Sequence, residues 1–241
     1  TVARTGVLNV NKLHSYRIDD DIFLSVSQLA NAKNHGMVMF VDYSGSMSGC
    51  LPHILKHLIN LIVFCKAVNI PFRVYGFTSD NRPGLYERMR LERENPIDGA
   101  ISFLGLSLIE LASSDMNKSD YNRAIRDLFY RSTNSVCHGG YEGLGSTPLN
   151  EALIAAHKII HRMQQESPVQ KWVTMFLTDG EGAGINIQTN SNFDSMRNAK
   201  PMGSYSYGHL DTTLNGRRMR CGGDAHAHME ALIENLRITT G

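Results

Sequence analysis

Met37-Val38-Met39-Phe40-Val41-Asp42-Tyr43-Ser44-Gly45-Ser46-Met47 is the stretch that decides the reading of this chain. Its first half, from Gly36 to Val41, is an uninterrupted apolar run of strand length, the pattern of a strand buried on both faces. Its second half ends that strand in Asp-x-Ser-x-Ser, one carboxylate and two hydroxyls on a tight turn. These are hard oxygen donors, which suit Mg²⁺, Mn²⁺ or Ca²⁺. With no Cys or His beside them, they argue against zinc. Gly45 is expected to free the turn for backbone angles closed to other residues, letting Ser44 and Ser46 face the same way as Asp42.

Two later segments belong with this one. Gly145-Ser146-Thr147-Pro148-Leu149 opens an amphipathic stretch over 150–163, and the apolar run 172–177 closes in Thr178-Asp179-Gly180-Glu181. Each taken singly has a plain structural reading: Ser-Gly-Ser as a loop turn, Thr147 as a helix N-cap, Asp179-Gly180 as a turn. Taken in order, they supply Asp42, Ser44, Ser46, Thr147 and Asp179 from three strand ends or helix starts. This combination resembles the von Willebrand factor A domain family and its metal-ion-dependent adhesion site, over residues 36–187. The resemblance implies Ser44, Ser46 and Thr147 as direct ligands of Mg²⁺ (or Mn²⁺ or Ca²⁺). Asp42 and Asp179 would hold the ion directly or through water. It also implies a coordination position left for an Asp or Glu of a protein partner.

Strand and helix signals alternate along the chain. Strands are expected at 36–41, 71–77, 106–111 and 170–178. Helices are expected at 51–68, from a cap at Ser119 or Asp120 to about 131, and at 147–163. The first of these is apolar on more than one face (Leu55, Leu58, Ile59, Ile62, Val63, Cys65) and so should pack under the sheet. Residues 81–99 read as a polar loop or edge hairpin, where Arg88, Arg90 and Arg93 pair with Glu87, Glu92 and Glu94 on a solvated surface. Residues 134–146 read as a Gly-rich loop delivering Thr147. The stretch 182–223 is rich in Asn, Ser and Gly, with short strand candidates only. The alternation predicts an α/β fold: a doubly wound, mostly parallel sheet with helices on both faces. Ligands of such sheets collect beyond the C-terminal strand ends, where both Asp42 and Asp179 fall. Residues 1–35 read as an N-terminal extension packing on a domain of 36–241, with polar insertions at about 81–99 and 182–223. Because the chain begins at Thr1 and ends after a helix-like stretch, it is expected to be a piece of a longer protein, cut before a final strand.

Composition narrows the function classes. A chain of 241 residues, 42% hydrophobic, can bury a full core. Its formal charge of +1 and lack of a dense Lys/Arg run give no field for nucleic acid or an anionic membrane. No apolar run reaches bilayer length, and nothing at the N-terminus reads as a signal peptide. Cys50, Cys65, Cys137 and Cys221 lack paired spacing, so reduced thiols and a cytoplasmic location are expected.

Other clusters offer less. Cys221 with His226 and His228 lacks a fourth ligand and a common zinc spacing, so a loop Cys before an amphipathic helix is the better reading. Cys137-His138 could pair a nucleophile with a base, but adjacent side chains diverge, and a Gly-rich loop explains them. His53 with His57, and His157 with His161, stand at i, i+4 spacing. Such a pair can bind metal, although a polar helix face is commoner. Trp172 opens a core strand.

Within the family, Gly6-Val7-Leu8-Asn9 to Leu13, Ile22-Phe23, the Asp42 loop and Val74-Tyr75-Gly76-Phe77-Thr78 look like the von Willebrand A domain of the large cobaltochelatase subunit and its phage-borne relatives. Those proteins work with AAA+ ATPases. The match stops after Thr78, so the resemblance implies an ATPase partnership and not cobalt insertion. A binding module that grips an acidic residue of an AAA+ partner or its client is therefore expected. The other class is an enzyme, a metal-dependent hydrolase or a chelatase component. The chain has no Gly-x-x-x-x-Gly-Lys loop and no His-Glu-x-x-His to favour that class. An extracellular adhesion domain is a third reading, opposed by the cysteine pattern.

Overall fold

The apolar run around Phe40 becomes β1, His35–Asp42, at the interior of a four-stranded sheet. The computed structural model describes residues 35–79, 84–95, 97, 100–133, 144–167, 169–180, 182, 185, 187–189, 204–206, 210–214, 217–221 and 225–240. The expected extension at 1–35 therefore falls, but for His35, outside the described residues. So do Cys137 and His138 and much of 182–223.

After β1, a 3-10 turn (Ser46–Gly49) leads into α1, Leu51–Ala67, then β2, Phe72–Ser79. There follow α2, Leu85–Glu94; β3, Leu106–Ser113; α3, Lys118–Thr133; α4, Leu149–Glu166; and β4, Lys171–Leu177. Two small antiparallel hairpins come next: β5 (Ile187–Thr189) with β6 (Ser204–Ser206), and β7 (Leu210–Leu214) with β8 (Arg217–Cys221). α5, Ala225–Thr240, ends the described chain.

The sheet order is β3-β2-β1-β4. β1 pairs in parallel with β2 and with β4, while β3 runs antiparallel to β2. The sheet is thus mixed, an α/β arrangement in which one pairing of three, at the β3 edge, is antiparallel. A parallel return needs a crossover packed on a sheet face. α2, between β2 and β3, buries no side chain and cannot serve as one. α2 also corrects the expected loop at 81–99. Its ten residues are mostly charged, with Leu85, Tyr86, Met89 and Leu91 among them, and are laced by Arg90 to Glu87 and Glu94, at i, i+3 and i, i+4. The cap of α3 is likewise Asn117, whose Oδ1 accepts the Asp120 N–H at 2.9 Å, and not Ser119 or Asp120.

Strand alternation divides the core in two. Val38 and Phe40 pack with Leu153, Ala156 and Ile160 of α4 and with Leu232 and Leu236 of α5. Met39 and Val41 face the opposite way, onto Leu51, Leu55, Leu58 and Ile62 of α1 and Leu128 of α3. The 4, 3, 4 spacing of those α1 residues makes one apolar stripe, leaving Val63 and Phe64 exposed. Each fully buried Leu or Ile contributes about 1.5–3 kcal/mol of hydrophobic free energy. Covering both faces leaves the sheet's C-terminal edge as the place where strand ends meet solvent. Among the described residues no helix is long and apolar enough to cross a membrane.

Candidate functional site

Parallel pairing brings β1 and β4 to the same level. Val41 stands opposite Leu177, so Asp42 and the Thr178-Asp179 corner leave the sheet side by side. Asp42 is fully buried, and its carboxylate accepts the Ser44 N–H at 2.8 Å and the Thr178 hydroxyl at 2.7 Å. The buried Ser44 and the exposed Ser46 bring their hydroxyls within 3.0 Å of each other. Gly45 plays no special conformational part in this. Its φ of −63° and ψ of −34° are ordinary right-handed helical angles, which corrects the expectation placed on it. The turn continues straight into the 3-10 segment, and that winding, open to any residue, carries Ser46 back over Ser44.

The glycine this edge does require is Gly145. It forms a parallel bridge with Ser44, takes the Gly45 N–H on its carbonyl at 2.9 Å, and gives its own N–H to Thr78 Oγ1 at 3.1 Å. A Cβ at Gly145 would lie 2.0 Å from Ser79 Oγ and 3.1 Å from Thr78 Oγ1. Ser79 Oγ in turn accepts the Ser146 N–H at 3.0 Å, and Thr78 donates to the Tyr43 carbonyl at 2.9 Å. The loop before α4 is therefore laced to the ends of both β1 and β2. Thr147, partly buried, follows two residues beyond Gly145. It is not the helix cap. Pro148 holds that position with no side-chain cap bond, so the structural alternative for Thr147 falls away.

Asp179 is exposed, and its charge acts on Asp42. Gly180 holds φ +91°, a left-handed angle that suits glycine, and donates its N–H to Thr178 Oγ1 at 3.2 Å. Burial pushes the Asp42 carboxyl above its ordinary pKa, and Asp179 adds to this, against the hydrogen bonds from Thr178 and Ser44. Among the described residues no Lys or Arg pairs with Asp42. A buried carboxylate with a second carboxylate nearby and hydroxyls converging beside it fits a divalent cation, because buried charges are normally paired or bound to metal. Among the described residues no group of three or more His, Cys, Asp or Glu stands together, so any ion here depends on hydroxyl donors.

Three contributors escaped the sequence reading: Thr178, Thr78 and Ser79. The signal was the recurrence of a hydroxyl residue at the C-terminal ends of β2 and β4, level with Asp42 once parallel pairing is assumed. Elsewhere, His53 and His57 lie on the exposed face of α1. His226 is exposed near Glu230, whereas His228 is fully buried. An apolar groove of about 400 Å³ runs along β4, walled by Leu153, Trp172, Phe176, Met229, Ile233 and Leu236. It meets the edge just described only at Thr178 and Gly180.

No protein-family model matches the chain, and no curated protein matches it significantly. Among solved structures it is similar to the pilus adhesin SpaC from Lactobacillus rhamnosus GG. For the open conformation the identity is 15% and the TM-score 0.46; for another form they are 14% and 0.47. Each comparison covers 87% of this chain but only 23% and 24% of the adhesin, so the chain spans about a quarter of those proteins.

Proposed function

We propose that the C-terminal edge of the sheet is a divalent-cation-dependent protein-binding site of the von Willebrand factor A type. The observation that carries this reading is the fully buried Asp42 carboxylate, paired with no Lys or Arg among the described residues, beside the Ser44 and Ser46 hydroxyls. Asp42, Ser44, Ser46, Thr147 and Asp179 would hold Mg²⁺, or Mn²⁺ or Ca²⁺ in its place. The three hydroxyls would bind directly and the carboxylates directly or through water. When bound, the ion supplies a Lewis-acidic position for an incoming carboxylate. Asp42 contributes charge and is kept in place by Thr178 and the Ser44 N–H. Gly145, Thr78 and Ser79 fix the height of the loop bearing Thr147.

The finer fold assignment belongs to the same proposal. The order β3-β2-β1-β4 equals the first four strands of the common doubly wound order 3-2-1-4-5-6. An antiparallel edge strand is compatible with such sheets. The order reverses between β1 and β4, and ligands of these folds bind at that switch point. The partner we infer is a protein presenting an Asp or Glu, an AAA+ ATPase or its client, with this chain as a non-catalytic adaptor in the cytoplasm. The free thiols of Cys50 and Cys65 are in keeping with a reducing compartment.

Calorimetry with Mg²⁺, Mn²⁺ and Ca²⁺ tests the site, comparing the wild type with the double variant Asp42→Ala, Ser44→Ala. Saturable binding that the variant loses is the expected result, and a metal-dependent pull-down then tests the partner. A wild type that binds none of the three ions removes the proposal's support.

A further inference from the structure

The second place where donor atoms converge is the contact between α4 and α5. Asn150 Nδ2 donates to the carbonyl of Ala225 and Gln164 Nε2 to that of Thr240, both at 3.3 Å, so the two helices lie parallel along their length. Between these ties, His157 Nε2 lies 3.1 Å from His161 Nε2 and 2.9 Å from Thr239 Oγ1. Thr239 spends its one hydroxyl proton on the Asn235 carbonyl, at 2.7 Å, and so presents a lone pair to His157. Two imidazole nitrogens and a hydroxyl oxygen thus crowd around a single proton, that of His157 Nε2.

Ring geometry shows how the nitrogens face. In a linear imidazole–imidazole hydrogen bond of this length the ring centroids would stand about 5.4 Å apart, given ring bonds of about 1.3–1.4 Å. The observed separation is 4.3 Å, with the rings at 61°. The nitrogens therefore do not point along one line. Two nitrogens bound to one ion at about 2.0–2.1 Å, and spaced as these are, subtend an angle of about 100° at it, between octahedral and tetrahedral values. The i, i+4 spacing on α4 sets this approach, and packing of α5 holds His157 in it. His157 is only 3% exposed, while His161 is open to solvent and leaves a path from that side.

We propose that His157 and His161, with Thr239 beside them, form a second metal site, for a divalent transition ion of the zinc class. Imidazole nitrogen suits zinc, nickel and copper, and water completes the coordination. Binding moves the His157 ring proton from Nε2 to Nδ1, so both rings ligate as neutral groups and no proton is lost. Through Thr239 the ion would also fasten α5 to α4.

The test is Zn²⁺ calorimetry on protein without a polyhistidine tag, in excess Mg²⁺, with Co²⁺ absorption as a second probe. His161→Ala is the main variant, because an exposed helix position tolerates alanine. His157→Gln is the second, and His57→Ala is the control for the exposed pair on α1. One Zn²⁺ per chain, weakened at least tenfold by His161→Ala and unchanged by His57→Ala, is expected, with a Zn²⁺-dependent rise in Tm. Absence of saturable binding overturns the proposal, as does binding that His161→Ala leaves intact or that His57→Ala abolishes. The double variant at Asp42 and Ser44 should bind Zn²⁺ normally, so failure at the sheet edge and failure here are told apart.

Discussion

Gly145→Ala is the substitution that most directly tests how the sheet edge is built. Gly145 has an ordinary backbone conformation, so alanine is excluded by contact and not by angle. The added methyl would stand 2.0 Å from Ser79 Oγ, which must swing away and abandon the Ser146 N–H it accepts at 3.0 Å. The Ser146 N–H is exposed and can turn to water, so the cost is that of making room for the methyl, about 1–3 kcal/mol. Gly→Ala also stiffens the unfolded chain, returning about 0.4–1 kcal/mol. The net loss is then about 1–2 kcal/mol, a fall in Tm of about 2–8 °C for a chain of this size. Thermal and urea denaturation in EDTA would measure it. The double variant Gly145→Ala, Ser79→Gly isolates the cause. Removing the Ser79 side chain removes the clash, so the two changes should be less than additive by about 1 kcal/mol. Full additivity, or a Gly145→Ala protein as stable as the wild type, would refute the packing argument. Because the displaced loop carries Thr147, the single variant should also bind Mg²⁺ more weakly than its stability alone suggests.

Three further outcomes are expected. Asp42→Asn keeps an acceptor for the Ser44 N–H and removes a buried charge, so in EDTA its stability should stay within about 1 kcal/mol of wild type. Mg²⁺ at about 100 times Kd should stabilise the wild type by about 2.7 kcal/mol and the variant not at all; an equal response in both would sink the assignment of Asp42. Gly36→Ala would place a methyl within 2.4–2.7 Å of three Trp172 ring atoms and should cost about 1–3 kcal/mol. Since Trp172 is the one tryptophan, its fluorescence should shift with that change, and an unaltered spectrum and Tm would contradict the packing. Burial, with the charge of His161, lowers the His157 pKa from 6.5 to about 4. The unfolded chain then binds the extra proton first, so this contribution is complete above pH 6.5 and is lost as pH falls towards about 4. The Tm difference between wild type and His157→Gln should shrink over that window, and parallel curves would exclude the effect.

What the sequence made legible was whatever repeats locally. β1, α1, β2, α4 and β4 carry apolar periods strong enough to place them, because each buries a face against the same sheet. α2 was missed because nothing in it is fully buried; ion pairs along its own surface and the Ser102 hydroxyl on Glu92 help hold it, and these leave no strong apolar period to read. The direction of β3 was left open by the sequence for a related reason. Strand polarity depends on whether the intervening segment crosses a face, a tertiary fact that the apolar run of Leu106–Ser113 does not encode. At the site, Asp42, Ser44 and Ser46 could be found from one loop. Thr78, Ser79 and Thr178 act only through strand neighbours and become visible once register is known. Gly45 was credited with freeing a turn that winds without need of a glycine, while Gly145, which the close approach to Ser79 and Thr78 does require, sits across a bridge where no local motif marks it.

The two candidate sites share α4, which begins just after Thr147 and carries His157 and His161 further along. Their donors nevertheless differ in kind. The sheet edge offers carboxylate and hydroxyl oxygen, which suits ions that hold hard ligands and keep water. The helix contact offers imidazole nitrogen, which Mg²⁺ and Ca²⁺ leave largely alone and zinc prefers. Between His157 and Thr147 lie about three turns of helix, or about 15 Å of axis, so neither site supplies ligands to the other. The sites should therefore titrate independently: Mg²⁺ should not displace Zn²⁺ from His157 and His161, and the loss of Asp42 should not release it. Competition between the two ions would mean that one set of residues serves both. In that case donor spacing would not choose between them, since the imidazole nitrogens stand 3.1 Å apart and the Ser44 and Ser46 hydroxyls 3.0 Å, and the separate variants would.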